Sequence, residues 1–398
     1  MLDKPAVPLL ASFILGGLSV LSFAPFEWWW LSFFTLAGLF FLLSAAKPKT
    51  SFYLGFYFGL GLYLFGTSWV YVSLSTYGGM PLWMGLIAVL GFASLLSLFI
   101  GLFAWCCARF FAASSFIRLA AFATLWPIFE WLKSWVFTGF PWLDFGYSQT
   151  PSWFFAWAPV GGLYLVSMVV AIIAVSLVYV LPSRGKSLLS VLVLVISSWW
   201  LNGLQWTQAV GKPLQIGIVQ ANVDLEAKWK AENRHSVIRR YSQLVNQLNE
   251  QQALDLIVLP ETALPLYVQQ TDRSFWSEFK PRGVALLAGM LDGPRSENTS
   301  EDHVYNAAAL VCADQAQVYR KRHLVPFGEY LPLRFLFNWV LEYLQLPMSD
   351  MSSWQGQQPL ACNGHLKIGL SICYEDAFSG EYQRHLGEAT LLLSLIHI

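Results

Sequence analysis

Charge is scarce in this 398-residue sequence, where Lys, Arg, Asp and Glu together make up 12% of the chain, against about 25% in an ordinary soluble domain. That scarcity argues against a typical cytosolic enzyme. An excess of either sign is missing as well: 24 basic side chains face 24 acidic ones. The electrostatic footprint of a nucleic-acid binder is therefore absent, and no nucleic-acid partner is expected. The chain also lacks the glycine motifs of dinucleotide and nucleotide sites, internal repeats and low-complexity tracts.

The charges present are unevenly placed. Residues 1–204 hold twelve of the 48, and the remaining 194 residues hold 36. This divides the chain into a membrane half, 1–204, and a polar half, 213–398. A helix needs about 20 mainly apolar residues to cross the hydrocarbon core. Charge-free windows predict seven spans: within 6–26 and 28–46, two within the uncharged stretch 50–108, then near 118–137, 159–181 and 187–204. The first is expected to be a retained signal anchor, because no clear small-x-small cleavage site follows it. Lys4, Lys47, Lys49, Arg109, Arg118, Arg184 and Lys186 fall at the amino terminus or in even-numbered connections, whereas the odd connections near 25–27, 74–80 and 138–158 hold no Lys or Arg. This bias places the amino terminus in the cytoplasm and everything after about 205 outside. Glu130 and Lys133, three residues apart, share a helical face inside the fifth span. They are read as a mutually neutralising structural pair, with a lipid-headgroup contact as the sharper alternative. The aromatic loop 138–147 anchors the protein at the interface or lines a lipid entrance.

From Leu214 the pattern changes. Residues 214–220 read as a buried strand, 234–250 as an amphipathic helix and 254–259 as a second apolar strand, a βαβ unit. Further strands are predicted at 284–290, 305–312, 317–323 and 366–373, followed by a polar helix-like stretch, 380–388, and the apolar run 390–398. Strands outnumber helices, so a mixed sheet with helices on its face is expected.

Open α/β sheets place ligands beyond the carboxyl ends of strands. Glu261 stands there after Leu-Ile-Val-Leu-Pro, and Cys373 after Gly-Leu-Ser-Ile. In the segment Val318–His323, alternation turns Lys321 away from Arg320 and Arg322, so one cation points inward while two remain solvated. A thiol, a carboxylate able to take its proton and an ammonium able to stabilise an oxyanion make a nucleophilic set. Spacing alone carries this weakly, because a buried cysteine is more often a small apolar residue.

The wording around the three residues is specific. Leu-Pro-Glu261-Thr-Ala, Tyr-Arg-Lys321-Arg-His-Leu-Val-Pro-Phe-Gly-Glu329-Tyr and Ser-Ile-Cys373-Tyr374-Glu375-Asp resemble the Glu-Lys-Cys signature of the nitrilase superfamily. Joined to a polytopic membrane half and the loop Gly-Phe-Pro-Trp at 139–142, they resemble the apolipoprotein N-acyltransferase family over nearly the whole chain. The resemblance implies a polytopic α-helical membrane domain plus an extracytoplasmic α/β nitrilase-like domain, an αββα sandwich, in the bacterial inner membrane. It implies transfer of a fatty acyl chain from a membrane phospholipid to the N-terminal α-amino group of the diacylglyceryl-cysteine of an apolipoprotein, the final step of lipoprotein maturation. Cys373 would carry the acyl group as a thioester in a ping-pong cycle, Glu261 would act as base and Lys321 would stabilise the oxyanion. Trp229, Glu329, Tyr374 and Glu375 match accessory positions, each with a packing role or a solvated loop charge as the plainer alternative. The implied partners are phospholipid and lipoprotein, the implied state is a monomer, and no metal or organic cofactor is implied.

Rival functions are a membrane-anchored amidase or nitrilase that hydrolyses a C–N bond, and a transporter or receptor whose outer domain only binds a ligand. The apolar segment 333–344 is read as a mobile arm dipping into the bilayer, in preference to a buried helix. Cys373 is expected to be free, although an outside domain permits disulfides. The sequence stops 25 residues after Cys373, where the family continues with more strands and a closing membrane helix. The second domain is therefore expected to be incomplete, and the chain as written to fold poorly or be inactive, since a sheet missing strands exposes an edge.

Overall fold

The computed structural model describes residues 6–111, 115–209, 211–281, 283–293, 303–312, 315–326, 328–330, 351–356, 360–362, 366–383 and 387–396. Segment 333–344, read above as an arm, lies outside them. The described residues form two compact units that divide between Gln208 and Ala209.

Each of the seven predicted apolar segments contains a helix in the first unit: α1 (Ala6–Ser19), α2 (Leu31–Leu43), α3 (Pro48–Gly66), α4 (Leu82–Phe110), α5 (Ser115–Lys133), α6 (Ala158–Val178) and α7 (Leu188–Asn202). Among the described residues, two helical stretches are long and apolar enough to cross a membrane by length and composition, Leu82–Phe110 and Trp153–Val178; α2 and α7 are shorter apolar helices. Small residues let backbones meet closely, as in membrane helix packing. A Cβ added at Gly16 of α1 would stand 1.9 Å from the Phe58 carbonyl oxygen of α3, and one at Gly61 of α3 would stand 2.0 Å from that of Phe13 in α1.

The pairing expected of Glu130 and Lys133 is not what the structure shows. Both are buried, but Lys133 pairs with Asp144 at 2.7 Å and also bonds Tyr63 Oη and the Trp142 carbonyl. Glu130 instead accepts from Trp126 Nε1 and the Phe145 backbone N–H, each at 2.8 Å. The cause lies in the loop after α5. Phe137, Thr138 and Gly139 take positive φ in succession, and the returning chain brings Asp144 closer to the ammonium than the neighbour on the same helix.

In the second unit, five strands lie in the order β1 (Ile216–Ile218), β2 (Leu256–Val258), β3 (Ala285–Asp292), β4 (Tyr305–Cys312) and β5 (Gln315–Arg320). β1, β2 and β3 run parallel, and β3, β4 and β5 antiparallel. A second sheet contains β6 (Leu360–Cys362), β7 (Leu366–Ile372) and β8 (Leu391–Leu395). Leu287, Leu310 and Tyr319 from the first sheet and Ile368, Leu370 and Leu395 from the second share one buried cluster, so the sheets pack face to face. The helices α9 (Arg234–Gln251) and α10 (Arg273–Phe279), with α8 (Leu225–Lys228) preceding them, belong to this unit. Val237, Tyr241 and Val245 of α9 and Trp276 of α10 cover the other face of the five-stranded sheet. The described residues thus make a helix layer on two stacked sheets; beyond β7 they hold a 3-10 turn, Cys373–Ala377, and one α-helical turn, Ser379–Tyr382, within reach of the helix-like stretch expected at 380–388.

One strand departs from its expected setting. β1 is an edge strand, and its Ile218 is 76% exposed rather than buried. An apolar run identifies a strand but not which neighbours cover it. β4 bridges to the second sheet through a Cys312–Cys362 disulfide, and Cys373 is a free thiol.

Candidate active site

Three strand ends converge. Glu261 lies in the turn that follows β2, Lys321 is the first residue beyond β5, and Cys373 is the first beyond β7. Glu261 and Lys321 are buried, Lys321 completely. Lys321 Nζ is 3.5 Å from Glu261 Oε1 and 2.8 Å from Glu329 Oε1. The half-buried Cys373 thiol feels the charges of Glu261, Lys321 and Glu329. All three predicted chemical residues, together with Glu329, therefore occupy one cluster.

Local backbone geometry aims them. Cys373 and Thr262, the residue after Glu261, both have positive φ, 53° and 45°, a region that L side chains rarely adopt. The Pro260–Ala263 turn can approach β3 only because position 289 is glycine: a Cβ there would stand 2.2 Å from the Pro260 carbonyl oxygen and 2.7 Å from Glu261 Cα. Lys321 is fixed through its backbone, its N–H donating to the Asn306 carbonyl and its own carbonyl accepting from Trp354 N–H.

Glu375 secures the turn that carries the thiol. One oxygen accepts from the N–H groups of Arg322 (2.6 Å) and His323 (3.4 Å), the other from Ile372 N–H (2.7 Å) and Tyr319 Oη (2.9 Å). The segment after Lys321 and the residue before Cys373 are thus tied to one carboxylate. Burial raises the Glu375 pKa, with its hydrogen bonds opposing. Glu329 is also a structural acceptor, since its second oxygen takes the Val325 N–H at 2.8 Å. Tyr374 stacks edge-on against Phe378. Trp229 packs in a separate small cluster with Leu291, Leu324 and Met351.

Arg322 overturns one expectation. It is buried, 9% exposed, and donates to the Gly356 carbonyl at 2.8 Å instead of standing in solvent. β5 ends at Arg320, so strand alternation no longer governs Arg322. Arg320 pairs with Asp292 and lies over the rings of Trp354 and Tyr305.

Two residues that sequence reasoning passed over belong to the cluster. Asn306 of β4 donates from one amide nitrogen to both carboxylates, 2.7 Å to Glu261 Oε1 and 2.9 Å to Glu329 Oε1. Its signal was available, as a lone amide in the apolar run 305–312 that must find partners if buried. Lys228, at the end of α8, is 1% exposed and donates to Thr262 Oγ1 at 2.8 Å. Nothing in its sequence neighbourhood announced it beyond its place next to Trp229.

The electrostatics suit a base-assisted thiol rather than a preformed thiolate. Burial pushes the Cys373 thiol up to about 11; the charge of Glu261 adds to this, and Lys321 pulls the other way. Burial works against the charge of Lys321, but Glu329 and Glu261 outweigh it and its pKa rises, so the ammonium stays charged at neutral pH. Among the described residues, no group of three or more His, Cys, Asp or Glu side chains is placed to hold a metal.

Residues 15–176 match the family model of the apolipoprotein N-acyltransferase N-terminal domain, and residues 215–385 match that of carbon-nitrogen hydrolase. An apolipoprotein N-acyltransferase of Chromobacterium violaceum is 33% identical over 98% of this chain and 76% of its own length. Those of Nitrosomonas europaea and Methylococcus capsulatus are 34% and 35% identical, over 97% and 96% of this chain and 78% and 76% of their own lengths. The chain belongs to the apolipoprotein N-acyltransferase family.

Proposed function

We propose that this family member transfers a fatty acyl chain from a membrane phospholipid to the N-terminal α-amino group of a diacylglyceryl-cysteine lipoprotein, through a thioester on Cys373. The observation that carries the reading is the placement of the Cys373 thiol beside the charge of Glu261, with Lys321 3.5 Å from that carboxylate. Sulfur attacks the ester carbonyl carbon while Glu261 takes the thiol proton. Negative charge then develops on the carbonyl oxygen, and Lys321 stabilises it. Collapse of the tetrahedral intermediate breaks the ester C–O bond, Glu261 returns the proton to the leaving oxygen, and lysophospholipid departs. The lipoprotein amine next attacks the thioester, giving its proton to Glu261, and the thiol is regenerated. Glu329 holds Lys321, Glu375 holds the turn that presents Cys373, and Trp229 and Tyr374 shape the approach to it.

The same reading includes a seven-span membrane domain, residues 1–204, with the amino terminus in the cytoplasm of a bacterial inner membrane, and a nitrilase-like αββα domain, 213–398, on the outer side. Several observations support this topology. The basic residues segregate to one side. Exposed Trp28, Trp30, Trp69, Trp83, Trp135 and Trp142 all lie at helix ends or connections of the opposite side, where interfacial tryptophans belong. The Cys312–Cys362 disulfide suits an oxidising compartment.

The test is intact-protein mass spectrometry after incubation with a phospholipid of defined acyl chain. Wild type should gain one acyl mass, lost on adding a diacylglyceryl-cysteine peptide that becomes N-acylated. Cys373→Ala should gain none. Release of free fatty acid with no adduct and no acylated peptide would favour hydrolysis and sink the transfer mechanism.

A further inference from the structure

Lys228 is a buried cation that the mechanism above does not use. Its side chain donates to Thr262 Oγ1 at 2.8 Å, and among the described residues no carboxylate lies within ion-pair distance. A lysine buried without an ion partner is costly and retained only where something offsets the cost. Lys228 lies against the residue that follows Glu261, and its ammonium sits 5.4 Å from the centre of the Trp229 ring.

Charge counting supplies the reason. The groups facing the reacting thiol are Glu261 after β2, Glu329 in its loop, Lys321 after β5 and Cys373 itself after β7, with the neutral Asn306 of β4 between the two carboxylates. Two carboxylates and one ammonium leave this buried group with an excess of one negative charge. Moving the thiol proton to Glu261 does not change that total, because one anion replaces another. A second cation brings the set to neutrality before negative charge develops on a substrate oxygen.

We propose that Lys228 is a positioning residue for the reaction: its ammonium balances the charge of the Glu261–Glu329–Lys321 set, and its bond to Thr262 holds the strained turn that aims Glu261. Burial pulls the pKa of Lys228 down to about 8 while the charge of Glu261 opposes the fall, as expected of a cation that feels this carboxylate across the turn. The inference deepens the function proposed above and rests on it for the word reaction, but its measurement does not require acyl transfer.

The experiment follows the pH dependence of Cys373 alkylation by iodoacetamide in the full chain in detergent, with wild type, Lys228→Met, Lys228→Gln, Lys228→Arg and Thr262→Val. The comparison is read below pH 8, where Lys228 holds its proton: a nearby cation stabilises the deprotonated state of the Cys373–Glu261 unit, so its removal should slow modification roughly tenfold there, the equivalent of about one pH unit, and the difference should fade above pH 8 as wild type loses the same charge. Met and Gln should both show this pH-dependent loss, although Gln keeps a donor for Thr262. Arg should restore the rate. Thr262→Val, which removes the hydrogen bond and keeps the charge, should slow modification by the same factor at every pH. Equal rates for wild type, Lys228→Met and Lys228→Gln below pH 8, a pH-dependent loss of the same size in Thr262→Val, or loss of folding in both uncharged Lys228 variants would overturn the proposal. Phospholipid-treated wild type is weighed separately: a missing acyl adduct there with the pH-dependent loss present refutes acyl transfer and leaves the role of Lys228 standing.

Discussion

Gly289→Ala is the sharpest test of how the site is aimed, because the smallest side chain is added and the structure fixes where it goes. In an ordinary strand, alanine in place of glycine stabilises by roughly 0.5–1 kcal/mol. At position 289 the new Cβ would stand 2.2 Å from the Pro260 carbonyl oxygen, 2.5 Å from Thr262 N and 2.7 Å from Glu261 Cα. Carbon and oxygen approach comfortably to about 3.3 Å, so the turn must retreat by about 1 Å. All three atoms are backbone, and no side chain can swing aside to absorb the shift. Overpacking of this kind costs about 1–3 kcal/mol, which reverses the sign of the usual substitution. The kinetic effect should be larger than the thermodynamic one, since a misplacement of about 1 Å at a reacting group costs on the order of 100-fold. The assay is the rate of acyl-adduct formation on Cys373 by intact mass, alongside thermal unfolding of the same detergent-purified protein. Slow acylation with a modest fall in melting temperature is expected. A variant as fast as wild type and equally or more stable would refute the claim that Gly289 seats the Glu261 turn.

Two further outcomes follow from the buried polar contacts. Asn306→Leu removes the amide shared by Glu261 and Glu329; hydrogen bonds to charged groups contribute about 1.5–3 kcal/mol each, so acylation should slow by one to two orders of magnitude, and an unchanged rate would exclude Asn306 from the site. Lys133→Met strands Asp144 without its cation, a loss of roughly 3–5 kcal/mol for a broken buried pair; adding Asp144→Leu should recover most of it in thermal unfolding, and a double variant no better than the single one would show that the pair is not the stabilising element.

What could be read from the chain, and what could not, divides by the range over which each signal acts. Apolar windows located the helices α1–α7 of the first unit, strand-end position marked Glu261 and Cys373, and alternation along 318–323 singled out Lys321, because these signals are local. The errors arise where the backbone leaves its period. Arg322 was assigned to solvent by alternation, which stops with β5 at Arg320. Lys133 was given the partner nearest in sequence, and three successive positive-φ residues bring Asp144 in its place. Asn306 and Lys228 meet the Glu261 turn from 45 and 34 residues away, separations that no periodicity encodes.

The choice among the three buried glutamates depends on those long-range contacts as well. Glu329 and Glu375 both accept from backbone N–H groups, of Val325 in one case and of Arg322, His323 and Ile372 in the other. Protonating or turning either would release a loop from the fold. Glu261 meets the thiol of Cys373, the amide of Asn306 and the ammonium of Lys321, all side chains that can follow a proton as it moves. A carboxylate engaged in that way can change charge during each turnover while the turns around it keep their shape, which is the ground for proposing Glu261 as the base and Glu329 and Glu375 as its scaffold.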